Sequence, residues 1–103
     1  MHTAIPLPIE RIADFCKRWN IARLEVFGSV LRTDFGPESD VDFLVTYAPQ
    51  SGMTYFRLVD AERELTELIG RRADLVSRRA IERSKNPYRR EPILASAQLL
   101  YAA

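Results

Sequence analysis

The sequence predicts a small α/β domain: a mixed sheet with flanking helices. Three observations carry that expectation. Residues 26–45 read as an apolar strand, a Gly-Ser turn, a short helical turn, a polar loop and a second apolar strand. Helical patterns flank this stretch on both sides, from Ile9 to Trp19 and from Thr54 to Gly70. A third short apolar run, residues 72–77, follows the second helix, so strands and helices alternate along the chain. At 103 residues the chain is sized for one domain, 1–103, with a modest core.

Taken in order, Pro6 and Pro8 punctuate a loose start, and Pro8 stands where a helix can begin. Ile9, Ile12, Ala13, Cys16 and Trp19 fall at helical spacing, and Asn20 stops the helix. Cys16 lies on that apolar stripe and reads as a core thiol, since a nucleophile needs a basic partner. His2 has no second histidine to join and is given no role. Ala22, Leu24 and Val26 alternate with Arg23 and Glu25, a strand with one exposed face. Phe27 ends it at Gly28-Ser29, with Ser29 placed to cap a helical turn over Val30–Arg32. The loop Phe35-Gly36-Pro37-Glu38-Ser39 leads into a strand over Val41–Tyr47, apolar enough to be buried on both faces.

After the loop 48–52, Thr54 reads as the N-cap of a long helix ended by Gly70, with Glu62 interrupting its apolar stripe. Asp74 stands in an otherwise apolar third strand, where an unpaired charge is costly. It is either an exposed strand start or part of a site. Ala80–Lys85 has the look of a short helix, and Asn86-Pro87 starts another. Pro92 is expected to break or kink that helix. The residues from Ile93 to Tyr101 pack back on the sheet, as helix or as a final strand.

Asp40 and Asp42 stand two apart at the start of the second strand, so strand alternation points them the same way. Two carboxylates on one face repel unless a cation lies between them, and clustered oxygen ligands suit Mg²⁺ beside phosphates. Gly28 allows a close backbone approach to a ligand, and the N–H groups after it face an anion.

Gly28-Ser29, ten residues, then Asp40-Val41-Asp42 resembles the signature of DNA polymerase beta-type nucleotidyltransferases. Four such fixed positions match by chance in roughly one chain of this length per thousand. The length and the positions of Arg32 and Ser39 resemble the minimal nucleotidyltransferases, antitoxins encoded beside a HEPN-domain toxin. Thr33 departs from the pattern, where many relatives carry Gly. The resemblance implies a polymerase beta-like core and a two-metal Mg²⁺ site made by Asp40, Asp42 and Asp74. It implies Gly28, Ser29 and Arg32 as contacts to ATP phosphates. It further implies AMP transfer to a tyrosine hydroxyl of a HEPN ribonuclease, silencing it, within a hetero-oligomer. The alternatives are an antitoxin that masks its partner by contact alone, and transfer to a small molecule. The want of a second substrate-binding region disfavours the latter.

Charge and composition narrow the classes. The net charge of +1 calls for neither nucleic acid nor membrane as a partner. No apolar run approaches the ~18 residues of a membrane span, and the N-terminus lacks a secretory pattern. A single cysteine excludes an internal disulfide, and a cytoplasmic setting is expected. The basic residues concentrate between Arg71 and Arg90, either a solvated face or a surface for triphosphate or an acidic partner.

Overall fold

The computed structural model describes residues 3, 5–31, 36 and 39–103. Arg32, Thr33, His2 and the Pro37-Glu38 part of the loop lie outside the described residues. The order is helix α1 (Ile9–Arg18), strand β1 (Ile21–Phe27), a 3-10 turn (Gly28–Leu31), β2 (Val41–Tyr47), α2 (Tyr55–Ile69), β3 (Ala73–Ser77), α3 (Arg78–Glu82), α4 (Pro87–Ser96) and β4 (Gln98–Ala102). The four strands form one mixed sheet in the order β3-β2-β1-β4. β1 runs antiparallel to both β2 and β4, and β2 runs parallel to β3. The expected α/β class is thus found, and β2 is an interior strand.

One face of the sheet carries the main core. Leu24, Val26, Val41, Phe43, Val45 and Leu75 pack there against Ile12, Phe15 and Cys16 of α1 and Ala61 and Leu65 of α2. Cys16 is fully buried, and that burial pushes its thiol up to about 12. This is the core thiol the sequence suggests, with no nucleophilic character at neutral pH. Ile5 and Leu7 also pack against this cluster, so the start is less loose than the two prolines imply.

The opposite face is covered as well, by α3 and α4. Phe27 and Leu44 pack there against Ile81, with Val76, Ile93, Leu94 and Ala97 beside them. Helices therefore lie on both sides of the sheet. The exposed strand face expected at Glu25 is part of this second interface. Glu25 is only 3% exposed. Its carboxylate accepts two hydrogen bonds from Arg78 Nη1, at 2.6 and 2.8 Å. Burial alone would lower the Arg78 pKa, but the bonds and charges of Glu25 and then Glu82 more than offset it, and the net shift is upward. A lone Glu in an alternating pattern reads as solvent-facing because its partner lies 53 positions away.

Local chemistry explains the helix ends. Thr54 Oγ1 accepts from Arg57 N at 3.3 Å, and Gly70 closes α2 in the left-handed conformation at φ 76°. Asn86 caps α4 through Tyr88 N at 3.0 Å, with Pro87 at its first position. The short α3 starts at Arg78, earlier than Ala80, because Ser77 Oγ accepts from Ala80 N. Pro92 sits inside α4 rather than breaking it. Its missing N–H deprives the Tyr88 carbonyl of a helical donor, but Tyr88 is exposed and water can supply one.

The outer edge of β3 is closed by α2. Leu75 N donates to Glu62 Oε2 at 2.8 Å, and Ala73 N donates to Thr66 Oγ1 at 3.0 Å. Glu62, which interrupts the apolar stripe, thus serves the strand and not the helix surface.

Candidate functional site

The site forms where β1 ends and β2 and β3 begin. Register sets its first element. Phe27 lies opposite Asp42, and Asp42 lies opposite Asp74. Paired residues on neighbouring strands point to the same face, so the two carboxylates stand side by side on the face covered by α3 and α4. Asp74 is therefore placed next to Asp42 by strand pairing alone.

The second element is the turn after β1. Gly28 adopts φ 81°, in the region that L side chains rarely adopt. A Cβ at this position would stand 2.6 Å from Asp42 Oδ2. Glycine thus serves twice: it makes the left-handed bend, and it leaves the space beside the carboxylate open. Gly28, Ser29 and Asp42 line one cleft with Phe27, and α4 supplies the opposite wall through Pro92, Ile93 and Ser96. The cleft holds about 280 Å³. It has a polar side made of the turn and carboxylate and an apolar side made of Phe27, Pro92 and Ile93. The α4 residues were not identified from sequence. An apolar pattern shows that a helix packs, not that one end of it overlooks a turn sixty-odd positions earlier.

The other expected residues are placed less tightly. Asp40 precedes β2 instead of lying within it, so strand alternation alone does not aim its side chain. Its carbonyl accepts from Ser29 Oγ at a long 3.5 Å. Ser29 lies inside the four-residue 3-10 turn and is not a helix cap. Such a short turn offers N–H groups but no long-helix dipole to an anion. Arg32 falls outside the described residues. Among the described residues, no three His, Cys, Asp or Glu side chains are gathered as a ready metal cage. The donor chemistry nonetheless fits Mg²⁺: hard carboxylate oxygens from adjacent strands, with the space before Asp42 kept free by a glycine.

A larger cleft of about 360 Å³ lies between α1 and α2, lined by Arg11, Asp14, Arg18, Glu64, Glu67 and Leu68. Arg18 and Glu64 already pair across it at 3.0 Å, and it has neither a glycine turn nor paired strand carboxylates. Its chemistry is that of a solvated helix–helix seam.

Known proteins agree with this geometry. The nucleotidyltransferase domain family matches residues 9–100. Two proteins of Methanocaldococcus jannaschii, provisionally named protein adenylyltransferases, are 27% and 31% identical over 77 residues, covering 75% of this chain and 74% of each relative. A solved structure provisionally described as a minimal nucleotidyltransferase is 33% identical, with a TM-score of 0.66, over 87% of this chain and 86% of its own. The fold is also that of a toxin–antitoxin structure with AMP-PNP, at 16% identity and a TM-score of 0.70, over 94% of this chain and 75% of the other. With the glycine turn, the strand carboxylates and the matched span in register, the chain belongs to the nucleotidyltransferase domain family, among its minimal nucleotidyltransferases.

Proposed function

We propose that this chain is an Mg²⁺-dependent antitoxin that transfers AMP from ATP to a tyrosine hydroxyl of a HEPN ribonuclease toxin, in the cytoplasm. The observation that carries the reading is the cross-strand pair Asp42–Asp74 facing a turn whose glycine cannot bear a side chain. Support for the nucleotide comes from the AMP-PNP in a structure of similar fold. Support for the partner comes from solved toxin–antitoxin complexes of that fold, one of them MntA-HepT. Support for a protein acceptor comes from the relatives named as protein adenylyltransferases. Among the described residues no helix is long and apolar enough to cross a membrane. Residues 1–103 would act as one domain.

In this reading the polar wall of the cleft receives the triphosphate. Ser29 and the N–H groups after Gly28 hold the β- and γ-phosphates, with Arg32 as a further cation. Asp40, Asp42 and Asp74 are the ligands that would hold Mg²⁺. When bound, the metal neutralises phosphate charge and lowers the pKa of the acceptor hydroxyl. Phe27, Pro92 and Ile93 give the nucleoside a dry contact. The acceptor oxygen forms a bond to the α-phosphorus as the α–β bridging P–O bond breaks. The electron pair of that bond leaves with pyrophosphate, and the hydroxyl proton passes to Asp74 or to water. Asp42 and Asp74 orient the reacting groups and keep the attack in line.

The test is incubation with the co-encoded protein, ATP and Mg²⁺, read by intact mass. The expected result is a gain of one AMP on the partner, absent with Asp42→Asn. A tight complex with no mass gain under any nucleotide would replace catalysis by masking through contact. No complex at all would remove the antitoxin role.

A further inference from the structure

Asp40 lies one residue before β2, where sheet pairing no longer fixes it, yet the proposed chemistry needs it beside Asp42. Something else must hold the turn that delivers it. The structure assigns that task to Arg71: we propose that Arg71 is a positioning residue for Asp40, clamping the loop that carries it to the start of β3. The inference rests on the nucleotidyl-transfer reading above.

The geometry is specific. Gly36 and Ser39 are bonded to each other twice: Gly36 N donates to Ser39 Oγ at 2.9 Å, and Ser39 N donates to the Gly36 carbonyl at 3.1 Å. Arg71 reaches this pair from 32 and 35 positions away. Its Nη2 donates to the Ser39 carbonyl at 2.9 Å and to the Gly36 carbonyl at 2.5 Å. The Ser39 carbonyl belongs to the peptide unit that leads into Asp40, so the clamp grips the chain directly before the ligand. Arg71 itself is well anchored. It follows the left-handed Gly70 that ends α2, and the next carbonyl, that of Arg72, accepts from Val41 N at 2.8 Å. Two bonds thus tie the chain on either side of Asp40 to the segment that runs into Asp74. Arg71 sets the spacing between a ligand on a loop and a pair of ligands on strands.

A charged donor on backbone carbonyls contributes more than a neutral one. Groups that hold metal ligands in place characteristically matter 10–100-fold for affinity or activity, in order of magnitude. The test compares the full chain with Arg71→Met and Arg71→Lys. Thermal unfolding is followed across an Mg²⁺ titration with a non-hydrolysable ATP analogue, and kcat and KM for ATP are measured separately. Arg71→Met is expected to raise the Mg²⁺ midpoint about tenfold and lower kcat about tenfold with little change in KM. Arg71→Lys, which keeps a cationic donor, is expected to recover part of both. If Arg71→Met does not fold, Arg71→Gln takes its place in the same comparison. A lowered melting temperature in metal-free buffer with an unmoved Mg²⁺ midpoint would make Arg71 a mere loop brace and overturn the proposal. A wild-type protein that shows no Mg²⁺-dependent shift would instead sink the nucleotidyl-transfer reading, and this proposal with it.

Discussion

Gly28 and Asp42 constrain each other, because the carboxylate occupies the space a side chain at position 28 would need. Gly28→Ala would put a methyl group 2.6 Å from the Asp42 carboxylate in a backbone region costly for alanine. Activity is expected to be lost, with a stability cost of more than about 1 kcal/mol, measured by urea denaturation. Asp42→Asn should separate chemistry from folding. It keeps the size and shape of the side chain while removing its charge, so the protein should still fold while transfer is abolished. Asp74→Asn should lower kcat far more than it weakens ATP binding, as expected of a group on the acceptor side. Loss of ATP affinity alone would put Asp74 on the wrong side of the reaction. The spacing Gly-Ser, ten residues, Asp-x-Asp made Gly28 and Asp42 visible from the sequence. The misfit of one charge in an apolar strand marked Asp74. Nothing local marked Arg71 or Glu25, whose partners lie tens of positions away.

At the scale of elements, strands and caps were legible because their signals are local. Thr54, Gly70 and Asn86 each announce a helix end through their own backbone chemistry. The layering was not, because which face a helix covers is decided by tertiary pairing. The Glu25–Arg78 pair shows how strongly the second layer is tied down. Among the described residues, Arg78→Met would leave the buried carboxylate with Arg23 Nε alone as a cation, at 3.3 Å, and a loss of about 3 kcal/mol is expected. Glu25→Gln should cost less, since Arg78 is part exposed and keeps Glu82 at 3.3 Å. Equal costs for the two substitutions, by chemical denaturation, would show that the pair does not work through the stranded charge. The fate of Pro92 follows the same logic: its cost depends on whether water reaches one carbonyl, a matter of burial and not of sequence.

For the molecule as a whole, the titration of a buried thiol and a half-buried phenol limits stability at high pH. Burial raises Cys16 from 9.0 to about 12, and burial followed by the charge of Glu62 raises Tyr47 from 10.0 to about 12. The unfolded chain releases both protons first, so the folded state holds more protons in this window. Stability is therefore complete below about pH 9 and falls as pH rises toward 12. Thermal melts across that range should show the decline, and Cys16→Ala should flatten its lower part. The basic tract resolves into two kinds of residue. Arg78 is engaged with Glu25 and Glu82, and Arg90 holds the Ser84 carbonyl at 2.7 Å. Arg79, Arg83, Lys85 and Arg89 are exposed, with Tyr88 among them. Arg83→Glu with Arg89→Glu should slow association with an acidic partner about tenfold and flatten its salt dependence, read by binding kinetics at two ionic strengths.

The closing of β3 by Glu62 and Thr66 gives the sheet a finished margin and an unfinished one. Growth by an added strand is opposed beside β3, where the Ala73 and Leu75 N–H groups already bond to α2. The margin beside β4 lies at the far end of the order from β3, separated from Asp42 by the whole of β1. A chain that lengthened the sheet there would do so without touching the carboxylates, and assembly along that margin could change while the chemistry stayed as it is.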